Sequence, residues 1–514
     1  MVPRCSTAKN VARSAGSTTN ATGLVSPVAT TCVRTWAWPT VAHATSSQQS
    51  TNGAMECTSA SIRQPAQKVH NVHCARLRVE SARLGSLKRA IGLPGATALV
   101  VGSIIGSSVF VQASELTSLV PDPVWVVMAW LVAGILTMVG ALVCAELSSA
   151  YPRTGGVYVF FKEIYSPALG FLWGWAMFWT MHSGILAAIA TVFARYAGYF
   201  VELDVTGQRL VAASAILVLS AVNYRGVTFG ANLQSAFTLV KVLAVMAIMI
   251  IGFALFRGAP PAPAEALPPV TFPNFLLAVG AGLFAYGGWH MVTYTAEETV
   301  DPTRTIPRAL LIGIVVVTLA YIGLNVVYLT VLPLTSVMTS TRVAADTFEV
   351  LIGPAAAGAI SALVMFSSFG ALNGIVLVGP RVYYQMAQDG LWFRFKGHLH
   401  PRFRTPDHAI IVQAIWSSVL VMTGTYRDLF TRVIYTEWIF FSLLALGVVL
   451  MRRRPGYAPA WRMALVPAAP VAFIIVSLMI VVNQIRVDVL SAAQGLGIVA
   501  TGFPAYYLWA RRKR

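Results

Sequence analysis

Apolar stretches of membrane-spanning length follow one another along this chain of 514 residues, from residue 91 almost to its end. A transmembrane helix needs about 20 predominantly apolar residues. Charged residues make up only 11% of the chain, too few to cover the surface of a soluble protein of this size. We therefore predict an all-α integral membrane protein with about twelve transmembrane helices. The predicted segments are Gly92–Val120, Val124–Ala150, Ala168–Phe200, Leu210–Tyr224, Gly230–Phe256, Phe275–Glu298, Ala309–Leu332, Pro354–Ala387, His408–Gly424, Leu429–Met451, Met463–Asn483 and Val489–Ala510.

The charges between these segments indicate the topology. An even number of segments places both termini on one side of the membrane. The loops on that side are rich in arginine and lysine, as at Arg452, Arg453 and Arg454, whereas the opposite loops carry mostly acids such as Asp122 and Asp204. Cytoplasmic loops carry an excess of basic residues. The sequence therefore predicts a multi-pass protein of the cell membrane with both termini in the cytoplasm.

The first and sixth segments both contain clusters of small residues at mid-membrane depth, in Gly102–Ser108 and Gly280–Gly288. Glycine in a helix costs about 1 kcal/mol against alanine. Lipid tolerates an unwound backbone only where it is buried in protein or lines a cavity. Interrupted helices are one interpretation of the two clusters, and close helix packing through small residues is the other.

The order of the segments favours interrupted helices. Segments one and six open two blocks of five segments each, and an odd number of spans inverts the second block relative to the first. Paired broken helices in inverted repeats are typical of the binding sites of secondary transporters. The sequence therefore predicts a binding site where the two helices break.

The backbone at the two breaks predicts the kind of ligand. Free N–H groups around Gly106–Val109 would begin the second half of helix one, and a helix N-terminus attracts a carboxylate. Carbonyl groups of Leu283 to Tyr286 would end the first half of helix six, and a helix C-terminus attracts an ammonium group. Together these ends match the zwitterion of an α-amino acid.

Three stretches carry a resemblance to a known family: Gly102–Phe110 (GSIIGSSVF), Ala145–Tyr158 (AELSSAYPRTGGVY) and Gly282–Leu310 (GLFAYGGWHMVTYTAEETVDPTRTIPRAL). They resemble the amino acid–polyamine–organocation (APC) superfamily of permeases, in particular the L-type amino acid transporter branch and its bacterial relatives. The resemblance implies a LeuT-like 5+5 inverted repeat with broken helices one and six, plus two additional helices.

The resemblance also implies which residues contact the substrate. Those expected at the carboxylate end are Ile104, Gly106, Ser107 and Ser108. Those expected at the amino end are Phe284, which would also serve as an occluding gate, Ala285, Gly287 and His290. The family usually has glycine where Ser108 stands, and its better-known mammalian members carry asparagine at the positions of His290 and Glu437.

Four further residues are expected in coupling or gating: Lys241, Tyr321, Glu437 and Trp438. A charge at the depth of Lys241 costs about 2.5–3.5 kcal/mol unless it faces protein or water. Lys241 matches a lysine that occupies the ion position in proton-coupled relatives; a static hydrogen-bond anchor is the alternative. Glu437 is expected to accept a proton, to pair with a cationic substrate, or to bond His290 or Tyr321. In contact, His290 and Glu437 would form a pH-sensitive pair.

Three acids near predicted cytoplasmic helix ends, Glu146, Glu297 and Glu298, are expected to be solvated. Salt bridges from them to Arg153 and Arg304 are the alternative.

The chain divides into three predicted regions. Residues 1–85 are rich in serine, threonine and alanine and are predicted to be a disordered basic extension, with a transit peptide or sequence upstream of the true start as alternatives. Residues 86–484 form the APC-type core with helix 11, and residues 485–514 form helix 12 and a basic tail. Four of the five cysteines lie in the extension without a CxxC pair, which indicates neither a disulfide framework nor a zinc site.

These observations predict a secondary transporter that moves amino acids, neutral L-amino acids above all, by alternating access as a proton symporter or exchanger. A polyamine or cationic amino acid exchanger and a non-transporting amino acid sensor are the alternatives. The sequence has neither a Walker phosphate loop nor an HExxH motif, and no enzyme activity, cofactor or metal is predicted. The expected partners are the amino acid, the lipid bilayer and protons. Nucleic acid is not expected, because half of the net charge of +18 lies between Met1 and Arg89, in and next to the extension.

Overall fold

A computed structural model of the protein describes residues 91–511, except 154, 226, 256–257, 259–266, 297–298, 393–397, 399, 401 and 404. The predicted extension of residues 1–85 and the acids Glu297 and Glu298 lie outside the described residues. Within them the chain is helical, and the only strand-like pairing is a single parallel bridge between Ile91 and Thr299.

The described helices, numbered in chain order, are α1 (Leu93–Ile104), α2 (Gln112–Leu119), α3 (Pro123–Ala150), α4 (Val157–Ile164), α5 (Pro167–Ala176), α6 (His182–Ala197), α7 (Val205–Tyr224), α8 (Val227–Ala254), α9 (Phe272–Ala285), α10 (Pro302–Val331), α11 (Leu334–Thr339), α12 (Val343–Leu351), α13 (Pro354–Gln388), α14 (Asp407–Thr423), α15 (Tyr426–Met451), α16 (Ala468–Val487), α17 (Val489–Ala500) and α18 (Gly502–Arg511). A π-helical turn, Met177–Met181, joins α5 to α6, and a 3₁₀ segment, Trp289–Thr295, follows α9.

Nine helices among the described residues are long and apolar enough to cross a membrane. They are Pro123–Ala150, Pro167–Ala197, Val205–Tyr224, Phe237–Ala254, Phe272–Thr295, Pro302–Val331, Pro354–Gln388, Tyr426–Met451 and Ala468–Val487. The other three predicted segments are present as shorter pieces. The first is divided into α1 and α2, the ninth is the 17-residue α14, and the twelfth is divided into α17 and α18.

Several helices begin earlier than their apolar segments. α7 begins at Val205 rather than Leu210, because the Asp204 carboxylate accepts the N–H of Gly207 at 2.7 Å and caps the helix there. α10 begins at Pro302 rather than Ala309, with proline in its first turn. Hydropathy locates the part of a helix that can face lipid, whereas caps decide where the helix begins.

The first and sixth segments are both interrupted, and their halves pack crosswise. α1 contacts the 3₁₀ segment after α9, and α2 contacts α9 itself. The first half of each broken segment therefore contacts the second half of the other. The two segments thus run antiparallel, and their breaks lie side by side. Around them α3 packs along α10, and α9 also contacts α15.

The outer faces of the long helices are apolar. Leu239 on α8, Leu319 on α10 and Leu478 on α16 are all exposed. Exposed apolar surface of this kind suits lipid and not water. With the nine apolar helices, it identifies a multi-pass membrane protein.

Candidate substrate site

The first break leaves a row of unpaired backbone donors. α1 ends where the N–H of Ile105 bonds the Val101 carbonyl at 2.8 Å. The next four N–H groups donate no hydrogen bond to any described residue; they belong to Gly106, Ser107, Ser108 and Val109. A short 3₁₀ turn, Ser108–Phe110, then leads into α2. The loop is buried, and the Ser107 hydroxyl also has no partner among the described residues.

The second break is a tight turn after α9. The N–H of Gly287 bonds the Phe284 carbonyl at 3.0 Å, and Gly288 has a φ of 100°, in the left-handed region that favours glycine. The Leu283 carbonyl accepts no hydrogen bond from the described residues. The helix therefore ends with a free acceptor directed along its axis, on the negative side of its dipole.

The two breaks are in direct contact. The Ser103 hydroxyl oxygen lies 3.2 Å from the Gly288 carbonyl oxygen and 3.0 Å from the Val100 carbonyl oxygen, and it shares its one proton between them. A Cβ atom at Gly288 would lie only 2.8 Å from the Ser103 carbonyl oxygen, so the second position requires glycine for its close approach as well as for its φ. The two breaks therefore lie side by side in one buried region.

Tyr321 on α10 joins the two breaks. Its buried hydroxyl lies 2.9 Å from the Ile104 carbonyl oxygen and 3.0 Å from the Ala285 carbonyl oxygen. A tyrosine hydroxyl carries a single proton, so it shares that proton between two carbonyls. The carbonyl oxygens of Ile104 and Ala285 can therefore each accept a further hydrogen bond. The ring packs on Trp130 and Tyr286, with centroids 5.2 and 5.1 Å away.

Lys241 on α8 is fully buried, and its amine donates to the Gly102 carbonyl in the last turn of α1. In a continuous helix that carbonyl would receive the N–H of Gly106. The break leaves it free, and a cation at the C-terminal end of a half-helix complements the dipole there. Lys241 and Tyr321 therefore both bind carbonyls that the break of the first segment exposes.

Phe284 closes one side of the region. Its ring lies 5.4 Å from that of Phe430 and 6.2 Å from that of Tyr426, both on α15. Gln112 on α2 joins the same group, because its amide donates to the Ala281 carbonyl at 2.6 Å and accepts from the Tyr426 hydroxyl at 3.1 Å. Farther out, Glu115 and Arg427 form a salt bridge between α2 and α15, and Arg195 stacks on Tyr426.

His290, Glu437 and Trp438 are buried, and no hydrogen bond joins Glu437 to His290. Neither ring nitrogen of His290 has a partner among the described residues, and neither does the Oε1 atom of Glu437. Tyr321 bonds the two carbonyls at the breaks, not Glu437. Trp438 packs on Phe473 of α16, with ring centroids 5.5 Å apart. Of the options for Glu437, a hydrogen bond to His290 or Tyr321 is therefore absent among the described residues.

The prediction that Glu146 is solvated was also wrong, and so was the alternative, a salt bridge from Glu146 to Arg153. Glu146 is fully buried and accepts two bonds from the Arg452 guanidinium, at 2.9 and 2.6 Å. The N–H of Met463 adds a third bond at 2.8 Å. Hydrogen bonding to Glu146 raises the pKa of Arg452 above its ordinary value, so its guanidinium stays charged. Arg153 pairs with Glu163 instead.

Sequence reasoning missed Ser103 and Gln112, which tie the broken helices together. Gln112 is a fully buried amide in an apolar segment, and its polarity at that depth was the available signal. Ser103 lies in the small-residue cluster Gly102–Ser108, but nothing in the local pattern indicated its partner. Its contact with Gly288 depends on how the two segments pack.

The fold defines a multi-pass helical membrane protein, and the family match assigns it to the permeases. Residues 91–506 match the family described as amino acid permease. The chain belongs to this family, within the APC superfamily, which confirms the resemblance seen in its motifs. Permeases are transport proteins, and the prediction that the chain is not an enzyme is confirmed on the same ground.

Known proteins similar to the chain include bacterial and mammalian members. The chain is 31% identical to the serine/threonine exchanger SteT of Bacillus subtilis over 431 residues, which cover 83% of this chain and 98% of that protein. It is 30% identical over 438 residues to the large neutral amino acids transporter small subunit 2 of Homo sapiens, and the match covers 82% of this chain and 81% of that protein. It is also 30% identical over 387 residues to the human b(0,+)-type amino acid transporter 1, and the match covers 73% of this chain and 78% of that protein.

Proposed function

We propose that the chain is a secondary transporter that moves neutral L-amino acids across the cell membrane by alternating access. Family membership supports amino acid transport in general. The names of two similar proteins, a serine/threonine exchanger and a large neutral amino acids transporter, favour neutral substrates and suggest exchange.

The observation on which the proposal depends is that one break has free backbone N–H donors and the other has free backbone carbonyl acceptors. Free N–H groups at Gly106–Val109 supply donors for a carboxylate. The carbonyls of Leu283 and Ala285, of which only the second is approached by Tyr321, supply acceptors for an ammonium group. These peptide groups would recognise the α-carboxylate and α-ammonium groups, which all α-amino acids share. Other residues would then recognise the substrate side chain. We assign the carboxylate to Ser107 and its neighbours, and the amino group to the end of α9.

The proposed architecture has twelve spans in a 5+5 inverted repeat with two additional helices. The antiparallel, crosswise packing of the two broken segments supports an inverted relation between the blocks. The basic loops on the side of both termini support cytoplasmic termini. On this topology the Glu146–Arg452 pair closes the cytoplasmic end and the Glu115–Arg427 pair closes the outer end.

Lys241 supports proton coupling as an alternative to exchange. Its amine is buried against the Gly102 carbonyl, one turn from the donors at Gly106 and Ser107. A proton gained or lost there would change the attraction that holds α1 against α8. In this proposal Phe284 serves as the occluding gate, since its ring lies between the end of α9 and α15.

A specific observation favours cationic substrates as a second candidate. Glu437 is almost fully buried, and its Oε1 atom has no hydrogen-bond partner among the described residues. A buried carboxylate without a partner is costly unless it is protonated or meets a cation. Lysine, arginine or a polyamine could supply that cation during transport.

Flux measurements test the proposed function. The full-length protein in proteoliposomes should take up a radiolabelled neutral L-amino acid. Unlabelled amino acid inside should accelerate uptake if the protein is an exchanger, and an inward proton gradient should accelerate it if it is a symporter. Competition by twenty amino acids and several polyamines separates neutral from cationic substrates. Binding of amino acids without flux under either condition would contradict transport and identify a sensor.

The hydroxyl of Tyr321 provides a sharper test of the site. Tyr321→Phe should lower the uptake rate about tenfold, because a buried carbonyl left without its donor costs about 1–3 kcal/mol. Tyr328→Phe is the matched control, since Tyr328 lies on the same helix and its buried hydroxyl has no partner among the described residues. Equal uptake by the two variants, at equal amounts in the membrane, would show that the bridge between the breaks does not matter.

A further inference from the structure

Three side chains with metal-binding atoms meet at the start of α14. They are His398, Asp407 and His408, and their ligand atoms all lie within 4.8 Å of one another. The Asp407 Oδ1 atom is 2.9 Å from the Nδ1 atom of His398 and 3.0 Å from the Nδ1 atom of His408. Cysteine spacing carries no information about such a group, because its ligands are imidazoles and a carboxylate.

The spacing of these atoms is close to that of a transition-metal site. Zinc binds histidine nitrogen and aspartate oxygen at about 2.0–2.2 Å, so neighbouring ligand atoms in a tetrahedral site lie about 3.3 Å apart. The observed separations from Asp407 are a few tenths of an ångström shorter. Small side-chain rotations of His398 and His408 would admit an ion between the three atoms.

Burial around the group also suits a metal ion. The Asp407 side chain is only 6% exposed, whereas those of His398 and His408 are 45% and 44% exposed. The carboxylate is therefore fixed on the protein side and the imidazoles border solvent. An ion could enter from that side and keep water as its remaining ligand, as open zinc sites do.

The backbone positions the ligands. The Asp407 carboxylate accepts the N–H of His408 at 2.8 Å, which orients it at the start of α14. The Thr405 hydroxyl bonds the Tyr224 carbonyl at 2.9 Å, and the N–H of His400 bonds the Thr405 carbonyl at 2.9 Å. These bonds hold Thr405 against the end of α7 and His400 against Thr405. Hydrogen bonds of this supporting kind orient ligands in metal sites.

We propose that His398, Asp407 and His408 bind a divalent transition-metal cation of the zinc type. Two imidazoles with one carboxylate favour such an ion over magnesium or calcium, which prefer oxygen ligands alone. The bound ion would tie the segment that follows α13 to the first turn of α14. The competing arrangement is a carboxylate that simply accepts hydrogen bonds from two histidines.

Cobalt titration of the purified full-length protein tests the proposal, because tetrahedral Co²⁺ absorbs visible light when bound by nitrogen and oxygen ligands. After removal of metals by a chelator, the wild-type protein should bind one more Co²⁺ per chain than His398→Gln, and Zn²⁺ should displace it. The affinity should fall at least about tenfold in the variant, since even the loss of a supporting hydrogen bond weakens metal binding by that factor.

His400→Gln is the matched control. His400 lies in the same segment but stacks on Phe403, and its Nδ1 atom accepts backbone N–H groups. This variant should bind Co²⁺ like the wild type, and any binding by the N-terminal cysteines and histidines should be equal in all samples. His408→Gln repeats the test with an independent ligand. The same stoichiometry and spectrum in wild type, His398→Gln and His408→Gln would overturn the proposal.

Discussion

Uptake of amino acids by Lys241→Met is expected to fall about tenfold or more. The substitution preserves length and apolar packing but removes the amine that binds the Gly102 carbonyl at the end of α1. That carbonyl would then be buried without a donor, at about 1–3 kcal/mol, and the end of the half-helix would lose its compensating charge. Radiolabelled uptake in proteoliposomes, normalised to the amount of inserted protein, measures the effect.

Leu239→Met is the control for this substitution. Leu239 lies on the same helix, two residues before Lys241, and its side chain is 62% exposed on the outer surface. Methionine there should leave uptake unchanged. If Lys241→Met transported at the wild-type rate with the wild-type dependence on pH, neither coupling nor anchoring by the lysine could stand.

Gly288→Ala is expected to abolish uptake and to lower the thermal stability of the detergent-solubilised protein. A residue other than glycine in the left-handed region costs about 1–3 kcal/mol. The added methyl group would also lie 2.8 Å from the Ser103 carbonyl oxygen, and backbone atoms cannot rotate away as a side chain can. The two breaks would be forced apart, and the donors and acceptors of the proposed site would separate. Thermal unfolding and uptake together measure the result.

Gly280→Ala, in the helix α9 that precedes the break, is the control. At Gly280 the nearest atoms to an added Cβ are 3.5 and 3.7 Å away, which is ordinary contact, and the backbone is helical. Alanine should therefore be tolerated and should favour the helix slightly. Similar uptake and melting temperatures for the two variants would contradict the contact between the breaks.

The position of the candidate site was predictable in part because the recognition groups that we propose are backbone atoms. Clusters of small residues, with glycine in both, located the two interruptions to within a few residues, since weak helical propensity is a local property of the chain. The motif resemblance added Tyr321 and Lys241 as residues near the site, and the structure places both on carbonyls of the first broken segment. Their roles in transport remain predictions.

The errors concern contacts between distant segments. Glu146 finds Arg452, which is 306 positions away, and not the nearby Arg153. Glu437 and His290 do not pair, although both are buried in the same membrane protein. Local pattern gives no measure of the rotation of one helix against another, and rotation decides which buried polar groups meet.

Composition and order along the chain were enough to establish a helical membrane protein, the positions of its apolar segments and the two weak points in segments one and six. These properties follow from side-chain transfer energies and local helix propensity, which each segment carries alone. Tertiary packing decided that the breaks lie side by side, that Ser103 meets Gly288 and that Tyr321 reaches both breaks. It also gathered His398, Asp407 and His408 into one group. Such contacts depend on the relative placement of several segments, which is a property of the whole fold.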